Sequence, residues 1–245
     1  MCFDGVENKE KTCILRTVRP HSIRYAREMS NLRFVPKALL DLYEVHEWRN
    51  GLAVLSAACP EEWEDIQYAL GEFRLYASEI IKRGGNRSKI AIRLDSLLAN
   101  RGWRKRKFDT KVLVDNVGRS TPTHEIDMFK GGVAFETEWN NKDPFFDRDL
   151  NNFRLLFDLR VIQVGVVVTR CDELEALAVE LGRNPQSYGA STTHISKLLP
   201  RLEGGGGGGC PVVVFGIRRA AFVDDRTTPI DSVPVDPNLI KTEDE

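Results

Sequence analysis

Between Thr123 and Lys142 the chain reads THEIDMFKGGVAFETEWNNK, and apolar and polar residues alternate on both sides of Gly131-Gly132. Alternation is the period of a β-strand, and paired glycines accept the positive φ angles of a two-residue hairpin turn. With the turn placed there, Lys130 pairs with Val133 and Asp127 pairs with Glu136. One face of the predicted hairpin carries Ile126, Met128, Val133, Phe135 and Trp139, which is a core face. The other carries Glu125, Asp127, Glu136 and Glu138. A one-residue slip would turn these acids into the core, so the apolar set supports the register.

The remaining pattern alternates between helix and strand periods. From Ala38 to Ala58 apolar residues recur at helical spacing, predicting two short helices or one helix kinked at Asn50-Gly51. Pro60-Glu61-Glu62 opens a helix that runs to about Leu70, because proline suits the first turn and acids there favour the macrodipole. Residues 73–81 fit either a strand or a helix. A helix follows from about Ser88 to Asn100, with Gly102 placed to stop it. Val112 to Val114 predicts a strand opening the sheet. Asp147 is placed to cap a helix that carries Phe153, Leu155, Leu156 and Phe157. Val161 to Thr169 and Pro211 to Phe215 are almost unbroken apolar runs, as in strands covered on both faces. Helices are predicted over Asp172–Leu181 and Ile195–Leu202. The order points to one α/β domain spanning residues 1–245, with a core over about 35–225 and an N-terminal helical layer.

Composition narrows the class. The chain has 245 residues, 42% of them hydrophobic, and a net charge of −1, all ordinary for a globular protein. No apolar run reaches the roughly 18 residues of a membrane span, and the N-terminus lacks a signal-peptide core. The five cysteines are scattered without a CxxC pair or a His-Cys cluster, which argues against zinc and for reduced thiols in a cytoplasmic protein. Gly204 to Gly209 lack the GK[ST] ending of a phosphate-binding loop and read as a flexible surface loop. Residues 226–245, rich in proline and acids, read as a surface tail.

Charge is local rather than global. Arg16, Arg19, Arg24, Arg27 and Arg33 make the N-terminal stretch basic, and residues 82–87 form a basic loop. Arg101, Arg104, Lys105, Arg106 and Lys107 surround Trp103, either as a solvated turn or as phosphate contacts. The hairpin acids pose a sharper question, because like charges directly opposite destabilise a sheet. An acidic solvent face is one resolution. A Mg²⁺ site is the other, since hard cations take carboxylate oxygens.

Ile126-Asp127, followed by Glu136-Thr137-Glu138, resembles the PD-(D/E)xK nuclease signature in an E-x-E form. The stretches EWNNKDPFFDRDLNNFR, VGVVVTR and YGASTTHISKLLPRL resemble the BglII/BstYI family of type II restriction endonucleases. That resemblance implies a restriction-endonuclease-like mixed β-sheet flanked by helices. It implies a homodimer cutting double-stranded DNA at a palindrome with a GATC core, with one or two Mg²⁺ ions and a cognate DNA methyltransferase. It assigns catalysis to Asp127, Glu136 and Glu138 and metal binding to Asp127 and Glu136. Glu138 stands where many relatives carry Lys or Gln, so its role as base or water ligand stays open. Asn140, Asn141 and Lys142 are expected to reach base edges or phosphates, as amides and amines can. Ser187, Tyr188, Ser191, Thr192, Thr193 and His194 form a second candidate reading loop. Arg170 and Lys197 are phosphate contacts or solvated surface. The rivals are a repair or mobile-element nuclease on the same core and an inactive DNA-binding protein.

Overall fold

The computed structural model describes residues 31–82, 88–189 and 191–226. The basic positions Arg16, Arg19, Arg24 and Arg27, the loop residues 83–87 and the tail 227–245 lie outside the described residues. The chain opens with α1 (Lys37–Leu42), β1 (Tyr43–Trp48), α2 (Gly51–Ala58) and α3 (Pro60–Glu72). The strand β1 replaces the helix expected there. It pairs antiparallel with residues 212–217, from Tyr43↔Ile217 to Trp48↔Val212. The Tyr43 hydroxyl donates to the Leu70 carbonyl at 2.9 Å. Arg49 and Asn50 then take left-handed φ angles of 53° and 58°, which ends the strand and turns the chain into α2.

Next come β2 (Leu75–Tyr76), α4 (Ala77–Ile81) and α5 (Lys89–Ala99). The Ser88 hydroxyl caps α5 by accepting from the Ala91 N–H at 3.1 Å. Gly102 stops the segment with φ of +91°. Then β3 (Arg104–Arg106) leads to β4 (Asp109–Val114) and β5 (Val117–Pro122). These last two form a separate two-stranded hairpin, so Val112 to Val114 does not open the main sheet. The turn uses Asp115 and Asn116, both at positive φ, the backbone of a tight hairpin.

The centre of the chain supplies β6 (Ile126–Lys130), β7 (Val133–Glu138), α6 (Phe145–Asp158) and β8 (Val164–Arg170). It is followed by α7 (Glu173–Glu180), α8 (Ile195–Glu203), β9 (Val212–Ile217) and β10 (Phe222–Val223). The six-stranded sheet has the order β1-β9-β8-β7-β6-β3. Strands β7, β8 and β9 are parallel, and the other neighbours are antiparallel. Helices cover both faces, so the sheet is mixed and buried on both sides. One core joins Phe135, Val166, Val168, Val213 and Phe215 to α1, α2, α3, α5 and α7. The other joins Ala134, Val167, Val212 and Val214 to α6 and α8. Burial on both faces explains the uninterrupted valines of β8.

The hairpin register is the expected one, with Lys130↔Val133 and Met128↔Phe135. Ile126 departs from it. It packs in the α6/α8 core with Ala134, whereas Met128 packs in the opposite core. The cause is a register shift against β3, where Arg104 meets Phe129 but Arg106 meets Ile126. Three residues of β6 span two of β3, which reverses the facing of everything before the bulge. Asp147 likewise does not cap α6. Pro144 holds the cap position without a side-chain bond, and Asp147 instead accepts from Arg201 Nε at 3.0 Å.

Candidate active site

Glu136 and Glu138 share the face of β7 that carries Ala134, so they point under α6 rather than into solvent. Each is only 1% exposed. Asp127, at the bulge on β6, is bonded to β7 in both directions. Its N–H donates to Glu136 Oε2 at 3.3 Å, and its Oδ2 accepts from the Thr137 N–H at 3.2 Å. Thr137 points the other way and donates through Oγ1 to Asp95 of α5 at 2.7 Å. The expected triad is therefore adjacent across two strands, with the two glutamates buried.

A fourth carboxylate joins it. Asp149 of α6 is 1% exposed and stands against Glu138. Arg148 bridges the two, with Nη2 on Glu138 Oε1 at 3.1 Å and Nε on Asp149 Oδ1 at 2.9 Å. Asn141 Nδ2 donates to Glu138 Oε2 at 2.7 Å. Sequence reasoning did not single out Asp149. A signal exists in the buried stripe Phe146, Asp149, Leu150, Phe153 and Leu156, where one acid sits at an apolar position of an amphipathic helix.

The electrostatics follow from this crowding. Burial raises Glu136 well above the usual carboxylate range, and the charges of Asp127, Asp149 and Glu138 push the same way. Burial raises Glu138 to about 9, reinforced by the Asp149 charge and by a hydrogen bond from the protonated form to Asp149. Asp149 is raised too, first by burial. The site thus holds protons where it lacks positive charge. Glu136 Oε1 is buried with no hydrogen-bond partner among the described residues.

That orphaned oxygen, in an all-carboxylate donor set, fits a hard divalent cation. As the side chains stand, no group of three or more His, Cys, Asp or Glu among the described residues is spaced to hold a metal ion. Glu125 pairs with Lys105 at 3.5 Å while 44% exposed.

The two candidate reading segments, distant in sequence, are laced into one platform at the end of β7. Asn140 Nδ2 donates to the Ser187 carbonyl at 2.8 Å. The Asn141 N–H donates to Thr193 Oγ1 at 3.0 Å, and the Thr193 N–H donates to the Asn141 carbonyl at 2.8 Å. Lys142 and Thr192 form an antiparallel bridge. Lys142 and Ser191 are exposed, whereas Asn140, Asn141, Ser187 and Thr192 are partly so. Tyr188, Thr193 and His194 are buried and shape the loop from beneath. His194 pairs through Nδ1 with Asp172, which also accepts from Ser196 Oγ at 2.9 Å.

Arg170 is neither a surface group nor a phosphate contact as it stands. It is fully buried at the end of β8 and donates from Nη2 to the Tyr188 carbonyl at 2.6 Å and to Thr192 Oγ1 at 2.9 Å. It supports the same loop.

Among the described residues, no helix is long and apolar enough to cross a membrane. A family model described as restriction endonuclease BglII/BglIII matches residues 43–217, from the first residue of β1 to the last of β9. No curated protein matches the chain.

Proposed function

The chain belongs to the BglII/BglIII restriction endonuclease family, whose activity is that of a type II site-specific deoxyribonuclease, and on that premise we propose that Asp127, Glu136 and Glu138 hydrolyse the phosphodiester. The observation that carries this assignment is the buried, unpartnered Oε1 of Glu136 among Asp127, Glu138 and Asp149. Arg148 offsets only part of the charge of four crowded carboxylates, and such a cost is retained where a site uses it.

Asp127 and Glu136 would hold Mg²⁺, which when bound supplies neutralisation of the phosphodiester charge and acidifies a water. Glu138 is the base that takes the proton of the attacking water. Asn141 and Arg148 fix its two oxygens, so its orientation is set before substrate arrives. Without a cation it rests protonated, and positive charge entering beside it would release that proton and leave a carboxylate able to accept one from water. Asp149 maintains that affinity from α6.

The substrate is double-stranded DNA at a short palindrome with a GATC core, cut by a homodimer so that each protomer serves one strand. Asn140, Asn141, Lys142, Ser187, Ser191 and Thr192 read base edges or phosphates, and Tyr188, Thr193 and His194 hold them in place. A cognate DNA methyltransferase would protect host sites in a restriction–modification system. The sequence resemblance supports these particulars.

Digestion of DNA of known sequence with Mg²⁺, with the ends mapped, tests the reading. Discrete fragments sharing one palindrome are expected; random nicks would point to a different nuclease task. Asp127→Ala is expected to abolish cleavage while retaining specific binding in Ca²⁺. Undiminished cutting by that variant would remove the site assignment.

A further inference from the structure

The basic run after Trp103 has no part in the site described above, yet the sheet places it beside that site. Strand β3 is hydrogen-bonded to β6, the strand that carries Asp127, with Arg106 opposite Ile126. Neighbouring strands lie about 4.8 Å apart, so β3 side chains start one strand spacing from Asp127 and two from Glu136 and Glu138. Arg104, Lys105, Arg106 and Lys107 are all exposed, although alternation along a strand would normally bury every second one. β3 is the last strand of the sheet, and nothing in the sheet covers its outer edge.

The four side chains have distinct settings. Arg104 is committed to the protein, donating from Nη1 to the carbonyls of Ala99 at 2.9 Å and Trp103 at 2.7 Å. Arg106 stacks its guanidinium over Phe108 and Phe129, 4.9 and 5.5 Å from the ring centroids. That stacking leaves the rim of the guanidinium open for acceptors. Among the described residues Lys105 pairs with the half-exposed Glu125, a pair of little intrinsic stability that a phosphate can replace. The segment holding Lys107 is tied to the chain that leads into β6. The Thr123 hydroxyl donates to the Phe108 carbonyl and accepts from its N–H at 3.2 Å.

We propose that Lys105, Arg106 and Lys107 form a contact surface for the phosphates that flank the cleaved bond on the same DNA strand. The inference rests on Asp127 and Glu136 being the cleavage centre. Successive phosphates follow at a rise of about 3.4 Å per nucleotide, so a strand held at the acids must continue past a neighbouring edge. Charges on an edge strand, lysine above all, also prevent edge-to-edge pairing, but that role does not call for a run beside the strand that carries Asp127. Here the three residues of β3 and the adjoining Lys107 are all positive.

The test is the salt dependence of binding in Ca²⁺, measured by fluorescence anisotropy on a duplex with the mapped site and on one without it. For K105Q/K107Q, the slope of log K against log salt should become shallower by about 0.9 for each lost phosphate contact, or about 1.8 per protomer. Both duplexes should weaken by the same factor. An unchanged slope, or a loss confined to the site-bearing duplex, overturns the proposal. If K105Q/K107Q does not fold, Lys107→Gln, which lies beyond β3, should remove about 0.9 alone. Asp127→Ala belongs in the same series. Should it cut as well as the unaltered protein, the cleavage-centre assignment fails, whereas the slopes judge the basic edge separately.

Discussion

Glu138 holds its proton in the folded protein up to about pH 9 but would release it near 4.5 once unfolded. Between those values the folded state binds more protons than the unfolded state, so this group lowers stability as pH rises. Glu138→Gln imitates the neutral, protonated form: its amide nitrogen can donate to Asp149, and its one carbonyl oxygen accepts from Arg148 or Asn141 but not both. In chelator, its melting temperature should exceed that of the unaltered protein, with a gap that widens from about pH 5 to about pH 8. An equal gap at both values would contradict the raised proton affinity. The same variant should lose cleavage, because an amide accepts no proton from water. Residues of this kind differed in how openly the sequence displayed them. Asp127, Glu136 and Glu138 stand out because opposed acids on a hairpin need an explanation within twenty residues of text. The roles of Asp149 and Arg170 do not, because each works through partners brought in by the fold: Glu138 beneath α6 for one, Tyr188 and Thr192 for the other.

Among the elements, long periodic or unbroken segments were legible, and short ones were decided by tertiary partners. Helices α3, α5, α7 and α8 and strands β8 and β9 lie close to where periodicity puts them. β1 does not, since its YEVHEW text sits between helices and becomes a strand only by pairing with β9. The bulge in β6 was equally invisible, being a property of its pairing with β3. Within β8, Gly165 marks a close approach. A Cβ there would lie 2.3 Å from the Phe153 ring of α6, and the strand is paired on both sides. Gly165→Ala should cost about 1–3 kcal/mol through overpacking, measured by urea denaturation. Phe153→Leu in the same chain should recover part of it. For the reading loop, Arg170→Lys keeps the charge but cannot reproduce the planar fork. Amide exchange over residues 185–192 should quicken while β8 stays protected; uniform quickening would instead mean global loosening.

At the scale of the whole molecule, the parallel run β7-β8-β9 sorts the surface into two ends. Glu138, Thr169 and Gly216 lie level at one end, where the acids and the laced reading loops meet. Val133, Val164 and Val212 mark the other, beside the Gly131-Gly132 turn. The six glycines precede β9 at this second end. They form consecutive turns, with the Gly206 N–H on the Arg201 carbonyl at 2.9 Å and Arg49 Nε on the Gly208 carbonyl at 2.9 Å. Gly205 and Gly208 take left-handed φ angles of 87° and 57°. Replacing Gly208 with alanine would strain the backbone and press a methyl to within 2.6 Å of the Arg154 side chain. The exposed Gly204-Gly205 junction meets less resistance. A fluorophore or surface tether grafted there would leave from the rear of the molecule, so an immobilised sample should still engage a duplex from its unobstructed front.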